Sequence, residues 1–426
     1  MSFWNLGMPN EAGRRWRWIQ WPIAGMLVTF NLRRLLYTFV ALRRPLRRAR
    51  QAMDSDNRAP LSVLVLVPCR NEAATLPGLI DSLERLAYTP GCLQVALVDD
   101  GSTDETQSVM KRAAETHGGW HVIRFEDQRG KAHALNGALE KIAYGDVIVV
   151  YDVDHRPEPE SLERLMAAFS DVRVAGASGR TIHRNAAASW PAYYAAVESL
   201  VHQMITMRAK DRLALAPALL GSNCAYRRAA LQQVGGFLTG ALLEDSDMTL
   251  AFARHGYRLR FVPDSVTWHQ APETVGDYVR QHRRWARGFN DVVRNHAVGL
   301  LAERSMPLGL RIELILFALG YLDRLALVAA LGMSLIGGIR AEPTPQARRR
   351  VRPLRRSGIL MPMALMMPFV QIVAVFVAER VPRGMWLRLP ALPVLFGLDI
   401  WAAVRGALDS IARRPRAWTP TRRPSE

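Results

Sequence analysis

Cysteine is scarce in this 426-residue chain: only Cys69, Cys92 and Cys224, with no CxxC spacing and no histidine at zinc-finger distance. That excludes a disulfide-stapled secreted scaffold and a cysteine-ligated zinc module, and it fits reduced thiols on a cytosol-facing domain. Acidic side chains are also in short supply, 38 against 56 Lys and Arg, for a formal charge of +18. Internal repeats and low-complexity tracts are missing. So is a small-residue cleavage site behind the N-terminal apolar stretch, and no cleaved signal peptide is expected.

A charge that large invites a nucleic-acid reading, but its distribution argues against one. Residues 1–50 carry ten Arg against Glu11, a net +9, and residues 340–426 carry sixteen Arg against five acids, a net +11. Residues 51–339 are left at −2. A nearly neutral centre with basic ends beside apolar segments is the pattern of positive-inside anchoring and attraction to anionic lipid. Membrane lipids, and no nucleic acid, are the expected partners.

Long apolar runs flank the centre. Trp16 to Leu32 is apolar with Trp16, Trp18 and Trp21, and Arg33-Arg34 interrupts it before Leu35–Leu42. A single tilted crossing and an amphipathic surface helix both fit that stretch, which is followed by a basic stop at Arg43–Arg50. Near the C-terminus, Gly358–Ala378 has about 21 residues, enough for one crossing. Leu389–Val404 is weaker because it carries Asp399. Leu308–Ile339 fits one tilted helix or a hairpin broken at Asp323-Arg324. The loop Arg340–Arg356, with seven Arg, is expected in the cytoplasm, and a cytoplasmic central domain then favours the hairpin.

From Leu61 the pattern alternates strand and helix, the signature of a mostly parallel α/β sheet. Strands are expected at Leu61–Val67, Leu93–Val98, His121–Phe125, Asp146–Tyr151 and Val172–Gly176. Helices are expected at Ala73–Ala87, from Ser102 or Thr103 to about His117, and at Lys131–Tyr144, Glu158–Phe169 and Ala188–Lys210. Further helices should start at Arg227, open with Leu242-Leu243-Glu244-Asp245-Ser246-Asp247 and run to His255, and cover Val279–His296. Residues 51–60 read as a linker. The strand Val147–Val150 runs into Tyr151-Asp152-Val153-Asp154. On extended backbone Asp152 and Asp154 share a face, and two carboxylates at a sheet rim suit a hard divalent cation. Their alternative is a helix cap. Open α/β sheets bind ligands at the carboxyl ends of their strands, where these residues stand.

Six motifs then fall in order: Pro68-Cys69-Arg70-Asn71-Glu72, Val98-Asp99-Asp100-Gly101-Ser102-Thr103-Asp104, Gly130-Lys131-Ala132-His133-Ala134-Leu135-Asn136, Asp152-Val153-Asp154, Glu244-Asp245 and Gln281-His282-Arg283-Arg284-Trp285. Over about residues 60–300 the chain resembles the membrane-embedded family-2 glycosyltransferases, in the branch of cellulose, chitin-oligosaccharide and hyaluronan synthases, with ceramide-type glucosyltransferases nearby. The ending Trp418-Thr419-Pro420-Thr421-Arg422 is similar too.

The resemblance implies a GT-A fold at 61–300 between a membrane segment at 1–50 and membrane helices at 301–410, with a basic cytosolic tail at 411–426. It also implies a multi-pass inner-membrane protein whose catalytic domain faces the cytoplasm and makes a β-linked glycan by inverting transfer. The alternative is one sugar passed to a lipid acceptor.

Carried over position by position, Asp99 and Asp100 would hold the base and ribose of a UDP-sugar, with Glu72 nearby. Lys131, at a helix start, and Arg284 would meet the diphosphate. Asp152 and Asp154 would place Mg²⁺ or Mn²⁺, with His155 and His269 as candidate helpers. Asp245, beside Glu244, would be the general base, with Asp247 the runner-up. Gln281 and Trp285 would face the acceptor. One departure stands out: the family usually has Thr or another small residue before Glu-Asp, and here it is Leu243.

Overall fold

The computed structural model describes residues 10–43, 59–340 and 360–412. The basic stop at 44–50, linker residues 51–58, the arginine-rich loop from 341 to 356 and the tail from 413 onward lie outside the described residues.

Helix α1 (Asn10–Leu42) is followed by β1 (Val63–Cys69), α2 (Leu76–Glu84), β2 (Leu93–Asp100), α3 (Thr106–Thr116), β3 (Trp120–Phe125), α4 (Lys131–Lys141) and β4 (Val147–Val150). Next come β5 (Arg156–Pro157), α5 (Ser161–Met166), β6 (Val174–His183), α6 (Trp190–Val201), β7 (Cys224–Arg227), α7 (Arg228–Gln233), α8 (Glu244–Arg254), β8 (Arg258–His269) and α9 (Val275–Ala302). The eight strands form one mixed sheet in the order β3-β2-β1-β4-β7-β6-β8-β5. Its β3-β2-β1-β4 half is parallel, as expected for strands joined by helical crossovers, and β7 lies antiparallel between β4 and β6.

Alternate residues of the central strands enter opposite layers of core, because side chains on a strand repeat every second residue. Leu64, Leu66, Ile148 and Val150 pack with α4, α8 and α9, while Val63, Val65, Val67 and Val149 pack with α2, α3 and α5.

Several expected boundaries move, for local reasons. β1 passes through Pro68 to Cys69, because beyond Leu66 it has no β4 partner and the missing proline N–H breaks no pairing on that side. β4 stops at Val150. Asp152 and Asp154 therefore stand in a turn closed by His155 N–H donating to Asp152 O at 3.0 Å, and they do not share a strand face. The strand expected at Val172–Gly176 runs to His183, and β7 and β8 occupy stretches for which no strand was expected. The long helix near 188–210 breaks into α6, a π-helical turn at His202–Met207 and a short helix at Arg208–Arg212.

α10 (Leu308–Ala318) and α11 (Leu322–Arg340) break at Leu319–Tyr321, ahead of Asp323-Arg324, and their axes turn by 65°, which is a bend and not the expected hairpin. Asp323 can sit in α11's first turn because Arg34 and Arg324 pair with it at 2.6 and 2.9 Å. α12 (Leu360–Ala378) and the short α13 (Arg383–Trp386) lead into α14 (Leu392–Ile411). Gln20–Leu42 and Arg383–Ile411 are long and apolar enough to cross a membrane, and α10 with α11 passes the same test as a bent pair. Helix α12 covers the described part of the expected 358–378 crossing, and the region of Leu389–Val404 belongs to the candidate span Arg383–Ile411.

Candidate active site

The loops leaving β1 and β2 are knitted to each other. Asn71, at φ 53°, accepts from Thr103 N–H through Oδ1 at 2.8 Å, and Glu72 N–H donates to Thr106 Oγ1 at 2.8 Å. Asp99 is fully buried and accepts from Ser102 N–H at 2.8 Å, which closes the Gly101 turn. Asp100 accepts from the amides of Arg129 and Gly130 at 2.9 and 2.8 Å. Both residues expected at the nucleotide thus brace backbone, and Asp100 fixes the entry to α4, whose first residue is Lys131. Burial, and after it the nearby Glu72, Asp99 and Asp152 carboxylates, push the Cys69 thiol well above the ordinary value.

Lys131 is the centre of the site. Its Nζ donates to Asp152 Oδ1 at 2.8 Å and to Gly221 O at 2.8 Å, and lies 3.3 Å from Glu244 Oε1. Burial alone would lower its pKa, but Asp152, Glu244 and Asp245 outweigh burial and raise it. Gly221, at φ +75°, must be glycine twice over: its backbone is left-handed, and a Cβ would lie 2.9 Å from Asp245 Oδ2. The next residue, Ser222, accepts from Asp152 N–H through Oγ at 2.8 Å, which ties the β4 exit to the 221–222 loop.

Asp245 is the titratable group of interest. Burial and the neighbouring Glu244 push its carboxyl up to about 7, while Lys131, the Ser246 amide and Arg284 pull it down. That value suits proton abstraction near neutral pH. Asp247, the runner-up, is instead buried against His296, with Oδ1 2.7 Å from Nε2. Arg284 reaches Asp245 electrostatically from α9, on the helix that also carries Gln281 and Trp285. The Trp285 ring packs 4.7 Å from His282, which stacks on Tyr278 at 3.8 Å.

A second group forms a candidate metal cluster. Asp154, His155 and His269 each offer one ligand atom, and those atoms all lie within 4.8 Å of one another. Asp154 and His155 are buried, and the two imidazoles stack at 4.8 Å. One carboxylate and two ring nitrogens are a donor set that Mn²⁺, less strictly oxygen-seeking than Mg²⁺, accepts, so the residues fit the expected metal. Asp152 is not in that cluster and meets Lys131.

Residues 59–288 match the profile described as Glycosyltransferase like family 2. The chain belongs to that glycosyltransferase family. A probable glycosyltransferase of Bacillus subtilis, YdaM, is 31% identical over 235 residues, 54% of this chain and 56% of the relative. The poly-beta-1,6-N-acetyl-D-glucosamine synthase of Staphylococcus aureus is 23% identical over 250 residues, 58% of this chain and 59% of the relative. The matches thus span under two thirds of each relative. Among solved structures, the mannosyltransferase PcManGT from Pyrobaculum calidifontis, in complex with GDP-Man and Mn²⁺, is similar with a TM-score of 0.57 at 25% identity, over 84% of this chain and 98% of that one. The chain carries a family-2 glycosyltransferase domain on a GT-A-type sheet, and the similar PcManGT structure holds Mn²⁺.

Sequence reasoning missed the parts that this glycosyltransferase assembles from distant segments. Gly221 and Ser222 belong to none of the six motifs, although a Gly-Ser-Asn triplet closing the apolar run Leu219-Leu220 is the same punctuation as the other site loops. Glu198, His282 and Asp399 come within 4.8 Å of one another from three separate helices, and no spacing in the sequence reports that.

Proposed function

We propose that the enzyme is a membrane-bound inverting transferase that moves a sugar from a nucleotide diphosphate donor, a UDP-sugar, onto a growing glycan through a β-glycosidic bond. The observation that carries this reading is Asp245, held at a pKa of about 7 beside Lys131 and Arg284. The acceptor hydroxyl oxygen attacks the anomeric carbon as the bond from that carbon to the diphosphate oxygen breaks, and Asp245 takes the hydroxyl proton. Negative charge develops on the departing diphosphate, where Lys131 and Arg284 oppose it.

Glu244 and Asp152 hold the Lys131 ammonium in place, and their carboxylates keep it charged. Asp99, Asp100 and Glu72 shape the nucleotide end, chiefly by fixing the loops that face it. Trp285 and Gln281 receive the acceptor sugar, the indole by stacking. A divalent ion, held by Asp154 with His155 and His269, would neutralise diphosphate charge as a Lewis acid. The nitrogen donors favour Mn²⁺ over Mg²⁺, which prefers oxygen and water.

The catalytic domain sits at the cytoplasmic face of the inner membrane, on the argument that the arginine-rich ends adjoin the apolar helices. A second reading, transfer of one sugar to a lipid acceptor, is favoured by the small number of candidate spans among the described residues.

The test uses membranes containing the full chain, Mn²⁺ or Mg²⁺, and radiolabelled UDP-sugars with GDP-mannose alongside. A high-mass ladder from a UDP-sugar supports the proposal. One labelled species in the organic phase moves the enzyme to the lipid acceptor. Transfer from GDP-mannose alone overturns the donor assignment, and no transfer from any donor overturns the whole reading.

A further inference from the structure

We propose that Gly288 is a positioning residue for the base: its missing side chain leaves a notch on α9 that seats Leu243, and Leu243 fixes the start of α8 where Glu244 and Asp245 stand. The inference rests on the reading of Asp245 as general base. A Cβ on Gly288 would overlap Leu243 Cγ, lie 2.8 Å from Leu243 Cδ1 and lie 3.3 Å from Leu242 Cβ. Leu243 is 7% exposed and occupies the N-cap position of α8, with no side-chain hydrogen bond to the helix. Ser, Thr, Asp or Asn at that position would hold the first turn by accepting from its free amides, and Leu cannot. Packing against Gly288 therefore fixes where the helix starts, while Asp245 Oδ1 accepts from Ser246 N–H at 2.6 Å. The helix start still begins correctly, since Asp247 N–H donates to Leu243 O at 3.1 Å.

α9 cannot retreat to make room. On its other side Gly406 of α14 lies so close that a Cβ there would be 2.7 Å from Ala286 Cβ and 2.9 Å from Arg283 O. Arg283 pairs with Asp409, and Asn290 donates to Ser410 Oγ at 3.0 Å. A methyl added at Gly288 is thus relieved by moving Leu243, and Glu244 and Asp245 move with it.

The experiment compares the wild type, Gly288→Ala, Leu243→Thr/Gly288→Ala and Asp245→Asn as full chains in membranes. Gly288→Ala is expected to lower kcat by about tenfold to a hundredfold, the usual cost of sub-ångström to ångström misplacement of a catalytic group. Donor KM should change much less than kcat, because Lys131 keeps its hydrogen bonds to Asp152 and Gly221 O when Glu244 shifts, and the acid limb of the kcat profile should move to lower pH as Asp245 shifts toward water. Leu243→Thr, which both makes room and can cap, should restore most of the rate in the double variant. Wild-type kcat in Gly288→Ala, or a loss that the double variant does not relieve, overturns the positioning inference. Turnover retained by Asp245→Asn overturns the base assignment instead, so the two failures are distinguishable.

Discussion

The ammonium of Lys131 donates to the carboxylate of Asp152 across 2.8 Å, joining the first turn of α4 to the exit of β4. The same ammonium lies 3.3 Å from Glu244, so three segments far apart in sequence share one cation. That cation opposes two charges at once, those of the resident carboxylates and that of an incoming diphosphate.

Lys131→Met should raise donor KM by about tenfold to a hundredfold, the range set by losing charge-assisted hydrogen bonds of about 1.5–3 kcal/mol. It should also move Asp245. Lys131 lowers the Asp245 pKa, so its removal sends the acid limb of the rate profile above about 7. Steady-state rates against pH, with donor saturating, check the shift. An unchanged limb would separate Lys131 from the base.

Asp245→Asn should reduce turnover by about a hundredfold to ten-thousandfold while leaving nucleotide diphosphate binding intact. Its stability effect has a definite sign. The folded pKa of about 7 lies above the ordinary 3.8, so the folded state holds the proton more tightly. The stabilisation is complete below about pH 4 and is lost as pH rises through about 7. An amide does not ionise, so thermal unfolding at pH 8 should show the variant melting above the wild type. At pH 4 the gap should close.

Chelation should abolish transfer, and Mn²⁺ should restore it better than Mg²⁺. His269→Ala and Asp154→Ala should each weaken Mn²⁺ binding by at least about tenfold, since each removes one atom of a three-atom cluster. Titration calorimetry with Mn²⁺ and the nucleotide diphosphate reads this without turnover. Equal Mn²⁺ affinity in wild type and His269→Ala would remove the histidine from the site.

Some segments of the fold are written plainly in the sequence and others are not. Val63–Val67 and Val147–Val150 are continuous β-branched and leucine runs, so buried parallel strands were legible. β7 is only Cys-Ala-Tyr-Arg, and β8 mixes Arg258, Arg260, Pro263 and Asp264 into its pattern, so neither gave a period. The motif loops were legible because glycine, aspartate and asparagine punctuate them. The turn after Val150 was not, since nothing local shows that a strand lacks a partner there. Partnering across the fold escaped in the same way: Gly221 lies against Asp245, and Leu243 against Gly288, through tertiary packing alone.

His282 closes an alternating line of charge: Arg34 with Asp323, Arg324 with both Asp323 and Asp399, and His282 between Asp399 and Glu198. His282 Nδ1 faces Tyr278 O at 3.0 Å, which fixes the ring, and Nε2 lies 3.2 Å from Glu198 Oε2, where a proton is needed to make the contact attractive. Burial alone would lower the imidazole pKa, but Glu198 and then Asp399 outweigh burial and raise it. The charged groups facing it are Glu198 and Asp399, with Arg324 beyond Asp399. A histidine whose folded pKa is raised contributes stability that is complete below about 6.5 and is lost as pH climbs through the folded value. The wild-type melting temperature should therefore fall as pH rises above 7, and His282→Gln should melt lower at pH 6 with a flatter profile. The cost at pH 6 should fall at the low end of about 3–5 kcal/mol, the range for breaking a buried pair, because Glu198 is a quarter exposed. Acceptor KM should rise in the same variant, since His282 backs the Trp285 ring. A variant that melts like the wild type from pH 6 to 9 would show that the proton on His282 contributes nothing to holding α9 against α14.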